Sequence, residues 1–453
     1  MGGGIMQIIR SDKTNYLVGN PQMTFFKSVY RRHTNFAMET MEVTMNSYPT
    51  YNESITTAII PKNAGDLLGS MFFDVKLTGK THANANNGYL NWMPATGYAY
   101  IKEVTFSIGN QEIEKHFSEW YDIWNELTDI DLKEHLLVNK WNDKSSYLNS
   151  NTLANNARQN DLQLYIPLKF YFCRNAGLYV PLIALQYDDI EIKTKFRKLD
   201  FLINAEYQAD SYDINPEVKL YANYIYLDEK ERRVFTQKPH EYLIDQVQHN
   251  GKVTLNSNNG VHDLNFNNLV KELIWVCKQK AVEETDPTQE APTIDSGGNT
   301  ITQPGDTAVL ENVEGTSITK GNDYFNYASP FGSGNNTEQN LEFVGGQESP
   351  EPFSTAIITV DGNNRFEELK ASYFRTVQPY YHHSKVPQKH IYSYSFALYP
   401  EKHQPSGFCD FTKFKNITLK LNNPIADANL LVFAVGYNVL RVAEGKAGLA
   451  YLI

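Results

Sequence analysis

Any chemistry in this 453-residue chain would rest on its histidine, carboxylate and thiol side chains, and their spacing can be read directly. His382, His383, His390 and His403 fall within one short stretch, a density that invites metal ligation. Yet His382 and His383 are adjacent, and in an extended segment they point to opposite faces. The spacing favours solvated or core-edge histidines. A cupin-type metal site would need a His-x-His pair followed by Glu, and the sequence has no His-x-His. Asp188, Asp189 and Glu191 offer acid and base groups, but Asp189 and Glu191 share one face of an alternating strand, the pattern of a solvent face. Cys173, Cys277 and Cys409 lie within or beside apolar segments, where buried, unreactive thiols are commonest. Their odd number and wide spacing argue against a disulfide framework and a metal knuckle, and for assembly in a reducing compartment. No Gly-x-Ser-x-Gly, P-loop or dinucleotide fingerprint occurs. Trp120, Tyr121 and Trp124 could stack on sugars, but at helical spacing they read as core. The sequence predicts a protein that is not an enzyme and needs no cofactor or metal.

The remaining candidates concern binding. Residues 1–36 carry Arg10, Lys13, Lys27, Arg31 and Arg32 against a single acid, Asp12, with aromatic side chains and His33 interleaved. Such an arm suits nucleic acid, an anionic membrane or an acidic protein surface, and equally an arm packed under its own domain with its arginines paired locally. Asn52, Asn335 and Asn416 open Asn-x-Ser/Thr sequons and are candidate glycosylation sites. The start of the chain lacks a basic region followed by an apolar signal core, so ordinary glycosylation is not expected. Met6 stands where a myristoylation motif beginning at Gly2 needs Ser or Thr. No apolar run approaches the roughly 20 residues that cross a bilayer.

These groups must be positioned by an all-β scaffold. Alternating segments predict strands near 38–46, 54–60, 70–78, 100–108, 163–172, 179–185, 189–196 and 218–227, with a helical insertion over 116–138. Strands of this length joined by long, irregular connections favour a sandwich over a parallel α/β sheet. The charged joint Glu229-Lys230-Glu231-Arg232-Arg233 opens a linker over 229–239, and a second domain follows from His240. There, Asn364 and Glu367 have capping-box spacing, and Phe366, Leu369, Tyr373 and Val377 repeat at helical intervals until Pro379. A helix is expected at 365–377 and strands at 391–399, 417–421 and 430–442.

The order of elements occurs twice. Val104 to Ile108, the Gly109-Asn110 turn and the Trp120 stripe correspond to the strand before Gly362, its turn and the Tyr373 stripe, with eleven residues from glycine to aromatic in both. Residues 71–76 correspond to 273–278, 164–172 to 391–399, and 190–196 to 417–421. The chain therefore reads as two copies of one β-domain. The second copy carries an insert, 279–353, in place of a loop of about twenty residues. A loop this long inside a compact domain is unusual and tends to be functional or mobile. Residues 281–352 hold thirteen acidic side chains and one Lys, net −12, so the chain's formal charge of −11 belongs to this segment and the rest is +1. With little apolar pattern before Tyr324-Phe325-Asn326-Tyr327, the insert is expected to project outward, and removing 281–322 is expected to leave assembly intact.

Arg365-Phe366, Tyr373-Phe374, Gln378-Pro379-Tyr380 and Gln404-Pro405-Ser406-Gly407 resemble the second jelly roll of the major capsid proteins of nucleocytoplasmic large DNA viruses. The run from Gly19-Asn20-Pro21-Gln22 to Asn35-Phe36 resembles that family's N-terminal signature, and the ending Gly445 to Tyr451 resembles its tail. Phe411-Thr412-Lys413-Phe414 departs from the family's pattern, which leads one to expect a Ser-Arg pair there. The resemblance implies two tandem eight-stranded jelly-roll β-sandwiches with short helical insertions, at 37–228 and 240–453. It also implies homotrimeric, pseudo-hexagonal capsomers that tile an icosahedral virus shell, the chain belonging to the virion and assembling in the host cytoplasm. The partners implied are other copies of the chain, minor capsid and penton proteins and a nearby internal membrane, with no specific nucleic acid. Residues 1–36 become an inner-face arm in which Lys27, Arg31, Arg32 and His33 meet minor capsid proteins or the membrane, and the insert takes the outer face. A sandwich that binds glycans through aromatic loops at 89–100 and 324–331 is the alternative from another functional class; a penton or minor capsid component is the alternative within the virus.

Overall fold

In a computed structural model of the chain, the described residues are 5–6, 15–80, 90–140, 161–205, 213–255, 260–279, 310–311, 317–318, 324–325, 327, 343–344, 347–348, 351–425 and 428–451. They form two units, Met1–Phe36 and Ala37–Ile453. The first contains a short helix, Asn15–Val18, followed by irregular chain whose side chains are exposed from Tyr16 to Phe36.

The second unit opens with eight principal strands. They are β1 (Phe36–Val43), β2 (Ser54–Ile59), β3 (Leu67–Leu77), β4 (Ile101–Ile108), β5 (Gln111–Phe117), β6 (Leu162–Pro167), β7 (Ile190–Phe196) and β8 (Glu217–Leu227). Helix α1 (Ser118–Thr128) follows β5. The strands pair into two four-stranded sheets, β1-β8-β3-β6 and β2-β7-β4-β5. Consecutive strands thus alternate between sheets except at the β4–β5 hairpin, the connectivity of a jelly roll.

Helix α2 (Glu229–Gln237) then occupies most of the stretch expected as a linker; the Asp228 carboxylate caps it by accepting the Glu231 N–H at 2.9 Å. The second set of strands is β9 (His240–Leu255), β10 (Val261–Asp263), β11 (Leu269–Gln279), β12 (Thr355–Val360), β13 (Asn363–Asn364), β14 (Tyr392–Ser395), β15 (Ile417–Asn422) and β16 (Ala428–Ala443). Their sheets run β9-β16-β11-β14 and β10-β15-β12-β13. This is the order of the first half, strand for strand. Short strands at Leu369–Lys370 and Cys409–Asp410, and β17 (Lys446–Leu449) beside β16, enlarge the second pair to five and six strands.

The duplicated hairpin shows why the sequence repeats there. Ile108 pairs with Gln111 across Gly109-Asn110, and Val360 with Asn363 across Asp361-Gly362. All four turn residues have positive φ, the requirement of the two-residue turn that matches strand twist. At Gly109 a Cβ would also lie 2.7 Å from the Asp188 carboxyl carbon, so glycine is required twice over.

Several local expectations give way to tertiary context. Residues 179–185 form not a strand but single 3₁₀ turns at Ala176–Leu178 and Leu182–Ala184; only Val180 makes a bridge, to Leu68. The strand expected over 163–172 ends at Pro167, and Tyr171–Arg174 turns helically so that Phe170 and Phe172 reach the same ring, Phe106. The strand expected at 391–399 covers only Tyr392–Ser395. Asn364 lies in β13 and caps nothing. The helix begins after Lys370, widens into a π-helical turn at Tyr373–Val377 and continues as α3 (Gln378–His382). Pro379 does not stop it: the proline follows directly on the π-helical turn, and the chain stays helical to His382.

Two cores result. One lies inside the second sandwich, around Leu273, Trp275, Cys277, Leu430, Val432 and Ala434. The other fills the first sandwich and continues onto Ile274, Val276, Leu431, Phe433 and Val435, the alternate residues of the same two strands. Strands β11 and β16 are therefore buried on both faces, which is why they read as unbroken apolar runs.

Candidate functional site at the seam of the two sandwiches

The surface on which the first sandwich meets the β9-β16-β11 sheet is built around α1. Every residue of α1 from Ser118 to Leu127 is buried. Trp120, Tyr121, Ile123, Trp124 and Leu127 face the apolar core, and Trp120 reaches Phe433 at 5.6 Å between ring centroids. Glu119, Asp122 and Glu126, at i, i+3 and i+7, share another stripe of the same helix. Carboxylates buried this way are tolerable only when paired.

Cations from both sandwiches pair them. From the second half, Lys278 Nζ lies 2.9 Å from Glu119, Lys389 Nζ 2.8 Å from Asp122 and Lys385 Nζ 3.6 Å from Glu126. From the first half, Lys140 Nζ lies 3.0 Å from Asp122 and 2.7 Å from Glu126, and donates to Asn125 Oδ1 at 2.7 Å. Arg197 Nη1 donates to the Ala99 carbonyl at 2.6 Å and to Ser118 Oγ at 3.1 Å. Burial opposes ionisation of Glu119, but Lys278 and Arg197 outweigh it and hold the carboxyl well below the usual carboxylate range. Glu126, likewise opposed by burial, is held at about 2 by Lys140, Lys389 and Lys385.

Three aromatic residues of the insert close this cluster. Tyr324 lies under Arg197 at 4.3 Å and Lys278 at 5.1 Å, while Phe325 and Tyr327 lie 5.4 and 5.8 Å from Lys389. All three are buried, so this part of the insert points inward, contrary to the outward projection expected of it; rings that cover lysine and arginine also lose their own apolar surface to water. The segment 281–322 lies outside the described residues apart from Leu310–Glu311 and Ser317–Ile318, which form a two-residue hairpin. Glu351 anchors the insert's far end, accepting from Arg375 Nε at 2.9 Å and the Tyr392 hydroxyl at 2.5 Å.

Backbone and amide contacts extend the seam. Gln246 Nε2 donates to the Ile113 carbonyl at 2.6 Å, and Asn438 Nδ2 donates to Gln246 Oε1 at 2.8 Å. Asp188 accepts the Ala447 N–H at 2.8 Å and so ties β17 to the first sandwich. Asp189 does face solvent, 2.9 Å from Lys62.

Among the described residues no group of three or more His, Cys, Asp or Glu side chains is arranged to hold a metal ion. His383 is the exception to the solvated reading. Its ring is buried between Glu272, 3.1 Å from Nε2, and Glu401, 3.0 Å from Nδ1. Burial opposes its charge, yet the two carboxylates raise it to about 9, making it a buried imidazolium clamp. No periodicity signals this, because Glu272 and Glu401 are 129 positions apart. Burial pushes the Cys173 thiol up to about 12 and Cys277 further still, as inert thiols require.

The structure leaves Lys27, Arg31, Arg32 and His33 exposed, His33 Nδ1 being 2.7 Å from the Thr34 carbonyl oxygen. Asn52 and Asn416 are exposed; Asn335 lies outside the described residues. Trp92, Tyr98, Tyr100, Tyr324 and Tyr327 are buried, so these rings of the loops considered for sugar stacking are turned inward.

Comparison with known proteins places this geometry. Residues 24–228 match the model of the major capsid protein N-terminus, and residues 231–448 that of the large eukaryotic DNA virus major capsid protein. The chain is 35% identical to a major capsid protein of Pyramimonas orientalis virus and 31% identical to that of Paramecium bursaria Chlorella virus 1, covering 100% of both chains in each case. Among solved structures, a quasi-atomic model of the PBCV-1 virus capsid superposes with a TM-score of 0.67 at 27% identity, over 95% of this chain and 100% of that one. The Faustovirus major capsid protein shares the fold, with a TM-score of 0.64 at 12% identity over 93% of each chain.

Proposed function

Because the chain belongs to the major capsid protein family of large eukaryotic DNA viruses, we propose that it assembles with itself into homotrimers that occupy the hexagonal positions of an icosahedral shell. The observation that carries this reading is the repeated strand order, with both sandwiches held as one body by the α1 network. Two similar sandwiches per chain and three chains per closed ring give six similar corners, which a hexagonal lattice site requires. A hinge at the seam would blur those corners; the buried ion pairs oppose one.

In this reading the chain divides into an arm over 1–36, sandwiches over 37–228 and 240–453, and a short connection over 229–239. The exposed Lys27, Arg31, Arg32 and His33 form the inner contact for minor capsid proteins or the internal membrane, and penton proteins adjoin the capsomers. Assembly takes place in the host cytoplasm. Asn52 and Asn416 are the exposed sequons open to glycosylation. Light scattering behind size exclusion tests the core of the proposal: a mass of about three chains at low and high salt is expected, since apolar interfaces survive screening. A single-chain mass at both salts overturns it.

A further inference from the structure

We propose that the joint between the two sandwiches is acid-sensitive and that His249 is its sensor: a proton taken up there loosens the contact of the first sandwich with the β9-β16-β11 sheet. The inference concerns a single chain and holds whatever its oligomeric state.

The sensor is a ring held by both halves. His249 belongs to β9 of the second sandwich. On one side it meets Phe117, the last residue of β5 in the first sandwich, and on the other Phe433 of β16, each with 4.8 Å between ring centroids. Phe433 also touches Trp120 of α1, so His249 stands in the same contact that seats that helix. The register of β9 slips between His249 and Lys252, a bulge that turns the Gly251 N–H back onto His249 Nδ1 at 3.3 Å. Nδ1 therefore accepts, and the ring's proton sits on Nε2, which is buried with no hydrogen-bond partner among the described residues. A second proton would have to enter at Nδ1, against the N–H already aimed there.

The surroundings oppose that proton. The two phenyl rings, tilted 46° and 32° to the imidazole, offer a cation less than the water it would give up. The charged groups facing the ring are Lys115 from β5, Glu119 from α1 and Lys252 from β9 itself. Glu119 is the one attraction, and Lys278 of β11 already engages it at 2.9 Å. Lys115 lies 5.3 Å over the Phe117 ring. Burial pushes the imidazole down to about 4; Glu119 pulls the other way, and Lys252 and Lys115 add to burial. Once the joint parts, the ring is an ordinary histidine that takes its proton at 6.5. Its contribution is therefore whole above pH 6.5 and is lost as pH falls from 6.5 toward 4. Glu126, a carboxylate of the same joint, begins to lose its contribution only at 4.5, below the onset set by His249.

The test is urea unfolding of the full chain at one protein concentration, from pH 7.5 to 5, beside His249→Phe, whose ring is of similar size and takes no proton. His135 and His262, which burial also disfavours as cations, are common to both chains and cancel. Below about pH 6 the wild-type unfolding constant should rise about tenfold more per pH unit than that of the variant. Parallel pH profiles overturn the sensor, whatever the variant does to stability at pH 7.5. Phe117→Ala removes the first sandwich's wall from the ring and should flatten the wild-type limb toward pH 5; an unflattened limb overturns the joint as its place. Should His249→Phe misfold, hydrogen exchange at the imidazole C2 position of the wild-type chain, read by mass spectrometry across pH, decides. A midpoint near 4 at His249 supports the sensor, and one at 6.5 overturns it.

Discussion

The two sandwiches place a helix at the same point of the same topology and use it in opposite ways. After β5, α1 is buried from Ser118 to Leu127 and carries three carboxylates matched by cations of both halves. After β13, the helix ending in α3 buries Phe374 and Arg375 but leaves Tyr380 and Tyr381 in water. Strand order does not determine which surface of a jelly roll is covered. The neighbour does: the first sandwich has the second sheet pair against it, and the second sandwich has an open edge. The difference makes the first helix an internal joint and leaves the second on the surface.

The comparison breaks most sharply at Glu119. Glu119→Gln leaves Lys278 buried without its carboxylate, and the loss of one partner of a buried pair costs about 3–5 kcal/mol. Denaturant unfolding of the trimer or of the isolated chain should show it; a loss below about 1 kcal/mol would mean that α1 does not join the halves. Tyr324→Ala, which removes the ring beneath Arg197 and Lys278, should cost about 3 kcal/mol. Removing 281–322 while keeping Tyr324 should move stability by no more than about 0.5 kcal/mol, so the pair of variants separates the buried part of the insert from the rest.

Acid and alkali sharpen the contrast between the two halves. Glu126, held at about 2 against an ordinary value of 4.5, contributes stability that is present above 4.5 and is lost as pH falls toward 2. His383 in the second half has the opposite sign. Raised from 6.5 to about 9, it contributes fully below pH 6.5 and loses that contribution as pH rises through 9. His383→Gln should therefore abolish an alkaline loss on the order of 3 kcal/mol while leaving the acid limb unchanged. An alkaline limb that persists in the variant refutes the clamp. The smallest effect is expected at Arg441, whose pair with Glu241 at 2.9 Å is exposed on both sides. Arg441→Ala should change the unfolding free energy by less than about 0.5 kcal/mol, the measure against which the buried pairs stand out.

How much was legible beforehand follows from the range of each interaction. The Gly109-Asn110 turn, a turn at Gly362, the strand before each and the apolar runs of β11 and β16 are local or nearly periodic, and the sequence alone revealed them together with the duplication; that the second turn is Asp361-Gly362 and that β5 and β13 follow the turns emerged only in the fold. The family resemblance rested on equally local motifs. Helix α1 was visible as an aromatic stripe, but its acidic stripe had no readable meaning until Lys278, Lys385 and Lys389, more than 150 positions away, came to face it. The 3₁₀ turns at 176–178 and 182–184, the π-turn at 373–377, the inward path of Tyr324, Phe325 and Tyr327 and the charged state of His383 were likewise decided by tertiary structure. Their causes are burial and charge contacts between distant segments, which leave no period in a one-dimensional string.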